Sequence, residues 1–491
     1  MTITAYERLT QSFSRIACLN EAAAMLSWDA SAMMPPGGAE ARGEQLATLA
    51  GLAHEFLASP ELGEDLAAAQ PQGDWEDTNL ALMRDAHIRA TALPRDLIEA
   101  SVRAGRTCES LWREARKTSD FKAVEAALAE VVALTRETAT ILGTALGQRP
   151  YDALMSQYQR GITSEQAAGI FARYEAFLKT ALPRAEALQA TRPAEHLPEG
   201  PYPEAQQAAL ARALAQSAGL DFTAARLDIS AHPFCGGTQT DIRITTRYDE
   251  QDPCAALMGV LHETGHALYE QNLPARFRRQ PVGEAAGMAM HESQSLIIEM
   301  QAARSDAYLS HLAPLFGQAF AKPVTSAALK SRLRRVARSF IRVEADELTY
   351  PAHVLLRFRL EQALLSGDLT VPDLPGAWNE GFQALLGITP PTHAQGCLQD
   401  IHWFDGAIGY FPSYTLGAMA AAQLMAAARR ALPTLDAHLA QGDISPLSGW
   451  LRAHVHSLGS SLGFNEILAN ATGEPLNPAY FEAHLTARYL T

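Results

Sequence analysis

The chain has 491 residues, 47% hydrophobic and 19% charged, a balance that excludes a disordered polymer and allows a large buried core. Lys plus Arg number 40 against 54 Asp plus Glu, and the resulting net charge of -14 disfavours a nucleic-acid or anionic-membrane binder. No apolar run approaches the roughly 18–20 uncharged residues that span a bilayer. The opening MTITAYERLTQ has no basic segment leading into an apolar one, and the 5 cysteines are odd in number and widely spaced. They read as free thiols, so the expectation is a cytoplasmic protein without a membrane span.

Helical periodicity dominates the chain. Between Phe121 and Leu142 the apolar positions Val124, Leu128, Val131 and Val132 recur at three-and-four spacing. The same pattern predicts helices over Ser164–Ala181, Glu204–Ala218, Pro253–Gln271, Glu292–Ala307, Ser326–Glu344 and Leu416–Leu432. One region breaks it. Arg226–Ser230 and Thr240–Thr246 alternate apolar and polar, which is strand period, and Ala231–Gly237 between them reads as a glycine-bearing hairpin loop. The fold class is thus predominantly α, with one small antiparallel sheet directly before the helix at Pro253.

That helix carries His262-Glu-Thr-Gly-His266, an H-E-x-x-H pattern. Histidines four apart share a helix face and meet one ion. Glu263 lies about 100° round the helix, within reach of a water beside that ion without ligating it. The other reading is a pair of core histidines with satisfied hydrogen bonds. A zinc site needs a third ligand and an open position. Glu292 opens the next predicted helix and reads either as that ligand or as a carboxylate favoured at a helix start. His262, His266 and Glu292 together give the His, His, Glu donor set of zinc peptidases. Zinc would lower the pKa of its water and polarise a carbonyl, with Glu263 taking the water's proton and delivering it to the leaving amine. The oxyanion then needs donors, for which Tyr410, Tyr414, His232 and His402 are candidates. Each reads equally as a packed core ring.

Taken in order, these motifs resemble a known series. His232-Pro-Phe234, Asp241-Ile-Arg-Ile-Thr245, His262-Glu-Thr-Gly-His266, His291-Glu-Ser-Gln294, Ile341-Arg-Val-Glu-Ala-Asp346 and Gly396-Cys-Leu-Gln-Asp-Ile-His-Trp403 resemble the carboxypeptidase Taq family of thermostable zinc metallocarboxypeptidases. Trp28-Asp29 and Tyr410-Phe-Pro-Ser-Tyr-Thr-Leu-Gly417 extend the likeness over most of the chain. The resemblance implies a helical fold with a deep groove and the metal at its floor, one catalytic domain over residues 1–491 with two flanking lobes, and a homodimer. It implies release of single C-terminal residues from peptides, with broad specificity and poor action at proline. It places metal ligation on His262, His266 and Glu292, the general base on Glu263, and zinc, or else cobalt, as cofactor. An exopeptidase must also grip the terminal carboxylate. A planar guanidinium binds carboxylate bidentately, and the family's Ile-Arg-x-x-Ala-Asp motif puts that role on Arg342. The competing reading of Arg342 is a surface ion pair with Asp346 on the same helix face. Gln399, His402 and His232 are the remaining candidates for substrate contact, and Arg243 reads as a structural partner of Asp241. The alternative activity on this scaffold is an endopeptidase or a dipeptidyl carboxypeptidase.

Overall fold

A computed structural model describes residues 3–491. It is helical almost throughout, with one three-stranded sheet. The described residues fall into two compact units, each assembled from separate stretches of chain. The first takes the chain up to Ala90, then Pro193–Arg334 and Gly417–Leu476; the second takes Thr91–Arg192, Arg335–Leu416 and Asn477–Thr491. Among the described residues no helix is long and apolar enough to cross a membrane. The five cysteines are free thiols.

In the first unit the helix Ala5–Ala32 starts at a reciprocal cap: Glu7 N–H donates to Thr4 Oγ1, and Thr4 N–H donates to the Glu7 carboxylate. Its apolar stripe of Leu9, Phe13 and Ile16 meets Leu62, Leu66, Leu80 and Met83 from the helices Pro60–Ala68 and Asp74–Ala92. Full burial of each such side chain contributes about 1.5–3 kcal/mol. Near the end of the first helix Trp28 is buried beneath two guanidiniums of the sheet, Arg243 at 4.3 Å and Arg226 at 5.1 Å from its ring. Cation–π contact with Trp thus ties helix to sheet. Arg243 is fixed in turn by two hydrogen bonds to Asp241, two residues away on the same chain segment.

The sheet corrects one expectation. Strands β1 (Ala225–Ile229) and β3 (Asp241–Thr246) both form, but they pair in parallel, not as two arms of a hairpin. The presumed loop contains a third strand, β2 (Cys235–Thr238), which pairs antiparallel on the other edge of β3. Gly237 makes the tight return possible: its φ is +89°, and a Cβ there would fall 2.2 Å from the Asp241 carbonyl oxygen. Alternation along β3 buries Ile242 and Ile244, and β3 packs against the helix Pro253–Gln271.

In the second unit the helices Arg95–Thr118, Lys122–Leu146, Ser164–Ala190 and Tyr350–Ser366 surround a core that includes Phe171, Tyr174 and Phe358. The irregular segment after Leu386 is pinned to them by indole donors. Trp112 Nε1–H donates to the Leu398 carbonyl at 2.8 Å, and Trp403 Nε1–H donates to Glu361 at 2.8 Å. That segment carries Gln399, Asp400 and His402.

Two predicted helices end differently. Ser326–Glu344 stops at Leu333, where Arg304 Nη1–H takes the Leu333 carbonyl and so caps the chain end. Arg342 therefore lies in a short 3-10 turn, Arg342–Glu344. The helix that carries Glu292 starts earlier, at Met288, and after Leu296 widens into a π-helical stretch, Ile297–Ala303.

Candidate functional site

The helix Pro253–Gln271 is buried along its length, and His262 and His266 lie one turn apart with ring centroids 5.0 Å apart. Gly265 between them decides how near the next helix comes. A Cβ at that position would lie 2.2 Å from the Gln294 carbonyl oxygen and 2.6 Å from Ser295 Cα. The two backbones therefore touch, and Glu292 is carried to the histidine pair. Its Oε2 lies 3.5 Å from His266 Nε2 and 3.8 Å from His262 Nε2. On the far side of Glu292, Gly417 leaves the room its side chain needs, since a Cβ at Gly417 would stand 2.7 Å from Glu292 Cβ.

The outward nitrogens of the two rings are supported unequally. His262 Nδ1 lies 3.0 Å from Glu299 Oε2. A carboxylate only accepts, so Nδ1 carries a proton, and Nε2, facing Glu292, is the nitrogen left to ligate a cation once it gives up its own proton. Glu299 is itself held by the Arg304 guanidinium. The π-helical widening is what presents Glu299 beside His262, and such turns recur at functional sites. His266 reaches a carboxylate only through another ring. Its Nδ1 lies 2.6 Å from His291 Nδ1, and His291 Nε2 lies 2.9 Å from Glu270 Oε1. Glu270 accepts from His291 Nε2–H, which leaves His291 Nδ1 to accept from His266 Nδ1–H. Proton placement then leaves the His266 Nε2 lone pair facing Glu292 as well.

One candidate ligand atom each from His262, His266 and Glu292 lie within 4.8 Å of one another, as a shared cation requires. Burial disfavours a charged His262, but Glu292 and Glu299 outweigh it and lift the imidazole to about 10. Burial drops His266 to about 4. Burial opposes ionisation of Glu292, yet the facing His262 and His266 hold it below its ordinary value. Glu263 is buried, and its Oε2 has no hydrogen-bond partner. Burial raises that carboxyl to about 7. A buried, unpartnered oxygen beside a ligand-shaped triad is the mark of a group meant to meet something from outside the chain. His232 is exposed on the loop before β2. Its neighbour Pro233 lies over Gly259, one turn before His262.

The second unit gathers the other candidates. Arg342 is buried and does not pair with Asp346, which instead caps Leu348 and Thr349. Its Nη2–H donates to Asp400 Oδ1 at 2.9 Å, and its Nη1–H donates to Tyr350 Oη at 2.8 Å. The Arg342 guanidinium lies 4.9 Å from the Tyr414 ring and 5.4 Å from Phe411. Tyr410 stands 5.3 Å from Tyr414, and both are partly exposed. His402 packs on Phe411 at 4.5 Å, and burial lowers it to about 4, so its ring is neutral at pH 7. Gln399 is turned inward. Its Oε1 accepts from Arg342 N–H at 2.9 Å, and its Nε2 donates to the carbonyls of Phe340, Gln395 and Gly396. The side chain thus braces the backbone of Arg342. Nothing in the residue spacing singles out Arg357, which is fully buried and also bonded to Asp400, or Glu299, His291 and Glu270.

A cation-sized triad with a buried carboxyl next to it, on helices, is the arrangement of a metallopeptidase. Comparison with known proteins agrees. A sequence model of the carboxypeptidase Taq (M32) metallopeptidase family matches residues 8–489. The chain is 36% identical over 501 residues to thermostable carboxypeptidase 1 of Thermus thermophilus, covering 99% of this chain and 98% of that protein. It is 34% identical to carboxypeptidase 1 of Bacillus subtilis, covering 100% of this chain and 99% of that one. The solved structure of Trypanosoma cruzi metallocarboxypeptidase 1 superposes with a TM-score of 0.97 at 36% identity, covering 100% of both chains. This chain belongs to the carboxypeptidase Taq (M32) family of metallopeptidases and is a peptide hydrolase.

Proposed function

We propose that the protein is a zinc carboxypeptidase that removes single residues from the C-termini of peptides. The observation that carries this reading is the convergence of His262 Nε2, His266 Nε2 and a Glu292 oxygen beside the unpartnered Oε2 of Glu263. Two imidazoles and one carboxylate suit zinc, and cobalt fits the same donors. When bound, such a cation supplies Lewis acidity toward a peptide carbonyl and lowers the pKa of a water. Glu263 does the proton work: buried and near neutrality in pKa, its carboxyl takes the water's proton and returns it to the leaving amine nitrogen. Arg342 receives the terminal carboxylate. Three of the five guanidinium N–H donors are engaged, Nε and Nη2 with Asp400 and Nη1 with Tyr350, which leaves two for a ligand. Tyr410 and Tyr414, partly exposed beside Arg342, are the donors assigned to the developing oxyanion, with His232 and His402 as further contacts. Broad specificity with poor cleavage at proline, a homodimeric state, one catalytic domain and a cytoplasmic location complete the reading.

The test compares a peptide with a free C-terminus and the same peptide amidated. Mass spectra of the free acid should show a ladder losing one residue at a time. Equal cleavage of the amide, or loss of dipeptides or internal fragments, would replace this reading with the endopeptidase or dipeptide-releasing alternative.

A further inference from the structure

Asp400 is divided between two arginines. Its Oδ1 accepts from Arg342 Nη2–H at 2.9 Å, while the Arg342 Nε–H contacts are longer, 3.3 and 3.4 Å. Its Oδ2 accepts from Arg357 Nε–H at 2.8 Å and Nη2–H at 2.5 Å. Arg357 is the more tightly bound of the pair, and it is also the inaccessible one. Its remaining Nη1–H donates to the His353 carbonyl at 2.7 Å, and its guanidinium lies 4.6 Å from the Trp378 ring and 5.2 Å from Phe411. At 1% exposure it cannot touch a peptide.

The charge count gives this arrangement a purpose. A single arginine bonded to a single aspartate is a neutral pair with little left for an incoming carboxylate. Here two guanidiniums face one carboxylate. The nearby histidines add nothing, because burial holds His353 well below its ordinary value and His402 near 4. Glu361, the next acid on the Arg357 helix, takes its hydrogen bonds from Tyr151, Trp403 and Gly409 and none from either arginine, and burial lifts its carboxyl to about 7 against the lowering effect of Arg357. The hydrogen-bonded group of Arg342, Arg357 and Asp400 therefore carries one unbalanced positive charge, and of its two arginines Arg342 is the more exposed, at 6% against 1%.

We propose that Arg357 is a positioning residue for carboxylate recognition: it holds Asp400 by Oδ2 and so keeps that side chain from neutralising Arg342. Asp400 orients the Arg342 fork, and Arg357 preserves its charge. The inference rests on Arg342 being the carboxylate clamp, and the experiment separates the two.

The whole enzyme, loaded with zinc, is assayed on a free-acid peptide and on its amide, with KM and kcat read separately. Arg357→Leu leaves Asp400 to Arg342 alone and should raise KM for the free acid roughly tenfold or more, with kcat within about threefold. Arg357→Lys keeps the charge and should stay near the parent value. The double variant Arg357→Leu with Asp400→Asn returns the group to one positive charge and should recover most of the lost affinity. A double variant as weak as Arg357→Leu would overturn the charge account. Asp400→Asn alone keeps the shape of the side chain and serves if the leucine variant does not fold. It should lower KM for the free acid or leave it unchanged, and a tenfold rise would also overturn the proposal. Arg342→Gln reads the clamp itself. A free-acid KM unmoved by that change removes the clamp and the inference with it, whereas a raised KM beside an unmoved Arg357→Leu removes the inference alone.

Discussion

Around His262 three carboxyl groups, Glu263, Glu292 and Glu299, face one guanidinium, that of Arg304. Around Asp400 the ratio is reversed, with Arg342 and Arg357 against one carboxylate. Burying like charges is costly unless an opposite charge joins them. In the first cluster protons on His262 and Glu263 make up the shortfall of positive charge; on the proposed reading a divalent cation takes their place there, and a carboxylate balances the second cluster. The clusters also differ in how their ligand-facing atoms are fixed. The histidine pair is set by backbone contact at Gly265, whereas Arg342 is set by side chains, Asp400, Tyr350 and Gln399. On the proposed reading, the chemistry stands on main-chain contact and carboxylate recognition stands on side-chain hydrogen bonds.

The difference can be tested by disabling one cluster at a time. The largest effect belongs to Glu263→Gln, which should cut kcat by about 10²–10⁴-fold while metal stoichiometry, read by elemental analysis, is unchanged. Retained turnover would remove Glu263 from its role. Next comes Arg342→Gln, expected to cost about 2–5 kcal/mol in kcat/KM on free-acid peptides, with the amide unaffected and metal content intact. Smaller again are changes behind the ligands. Glu299→Gln acts on His262 directly and should weaken zinc binding about 10–100-fold in a competition titration. Glu270→Gln acts on His266 through His291 and should weaken it less. The reverse order would show that the ring-to-ring path carries more of the support than the direct bond.

The smallest effect is on stability in acid. Burial alone would raise the Asp400 carboxyl, but Arg357 and Arg342 hold it well below the usual carboxylate range. A depressed folded-state pKa contributes stability that is present above the unfolded value, about 4, and is lost as pH falls below it. Between pH 5 and 2 (about one unit above and two below that value) the parent Tm should fall more steeply than that of Asp400→Asn, measured by calorimetry. Parallel slopes would mean the pair contributes nothing to folding.

The cation cluster was the more legible of the two in the sequence. Two ligands are fixed by helical spacing, and the third follows after one connector, so His262, His266 and Glu292 lie close together in the chain. Glu299 lay in plain view seven residues beyond Glu292. Its approach to His262 depends on a π-helical turn that no residue pattern announces. The arginine cluster joins Arg342, Arg357 and Asp400 across as many as 58 positions of chain. Helical spacing pairs Arg342 with Asp346 only if the helix runs through Arg342, and it ends instead at Leu333. In the sheet, β1 and β3 were legible by alternation, but Cys235-Gly-Gly-Thr238 has the composition of a loop and becomes a strand only because β3 offers an edge.

The missing methyl at Gly265 has a consequence for how such an enzyme can be changed. Where two main chains rest on each other, the cage they carry has no adjustable wall. Residues that choose among peptides can drift without disturbing it, while alanine at this one position would pry the cage open with every donor atom still in place. Catalytic failure in a variant that keeps all its ligands should thus send attention to that crossing.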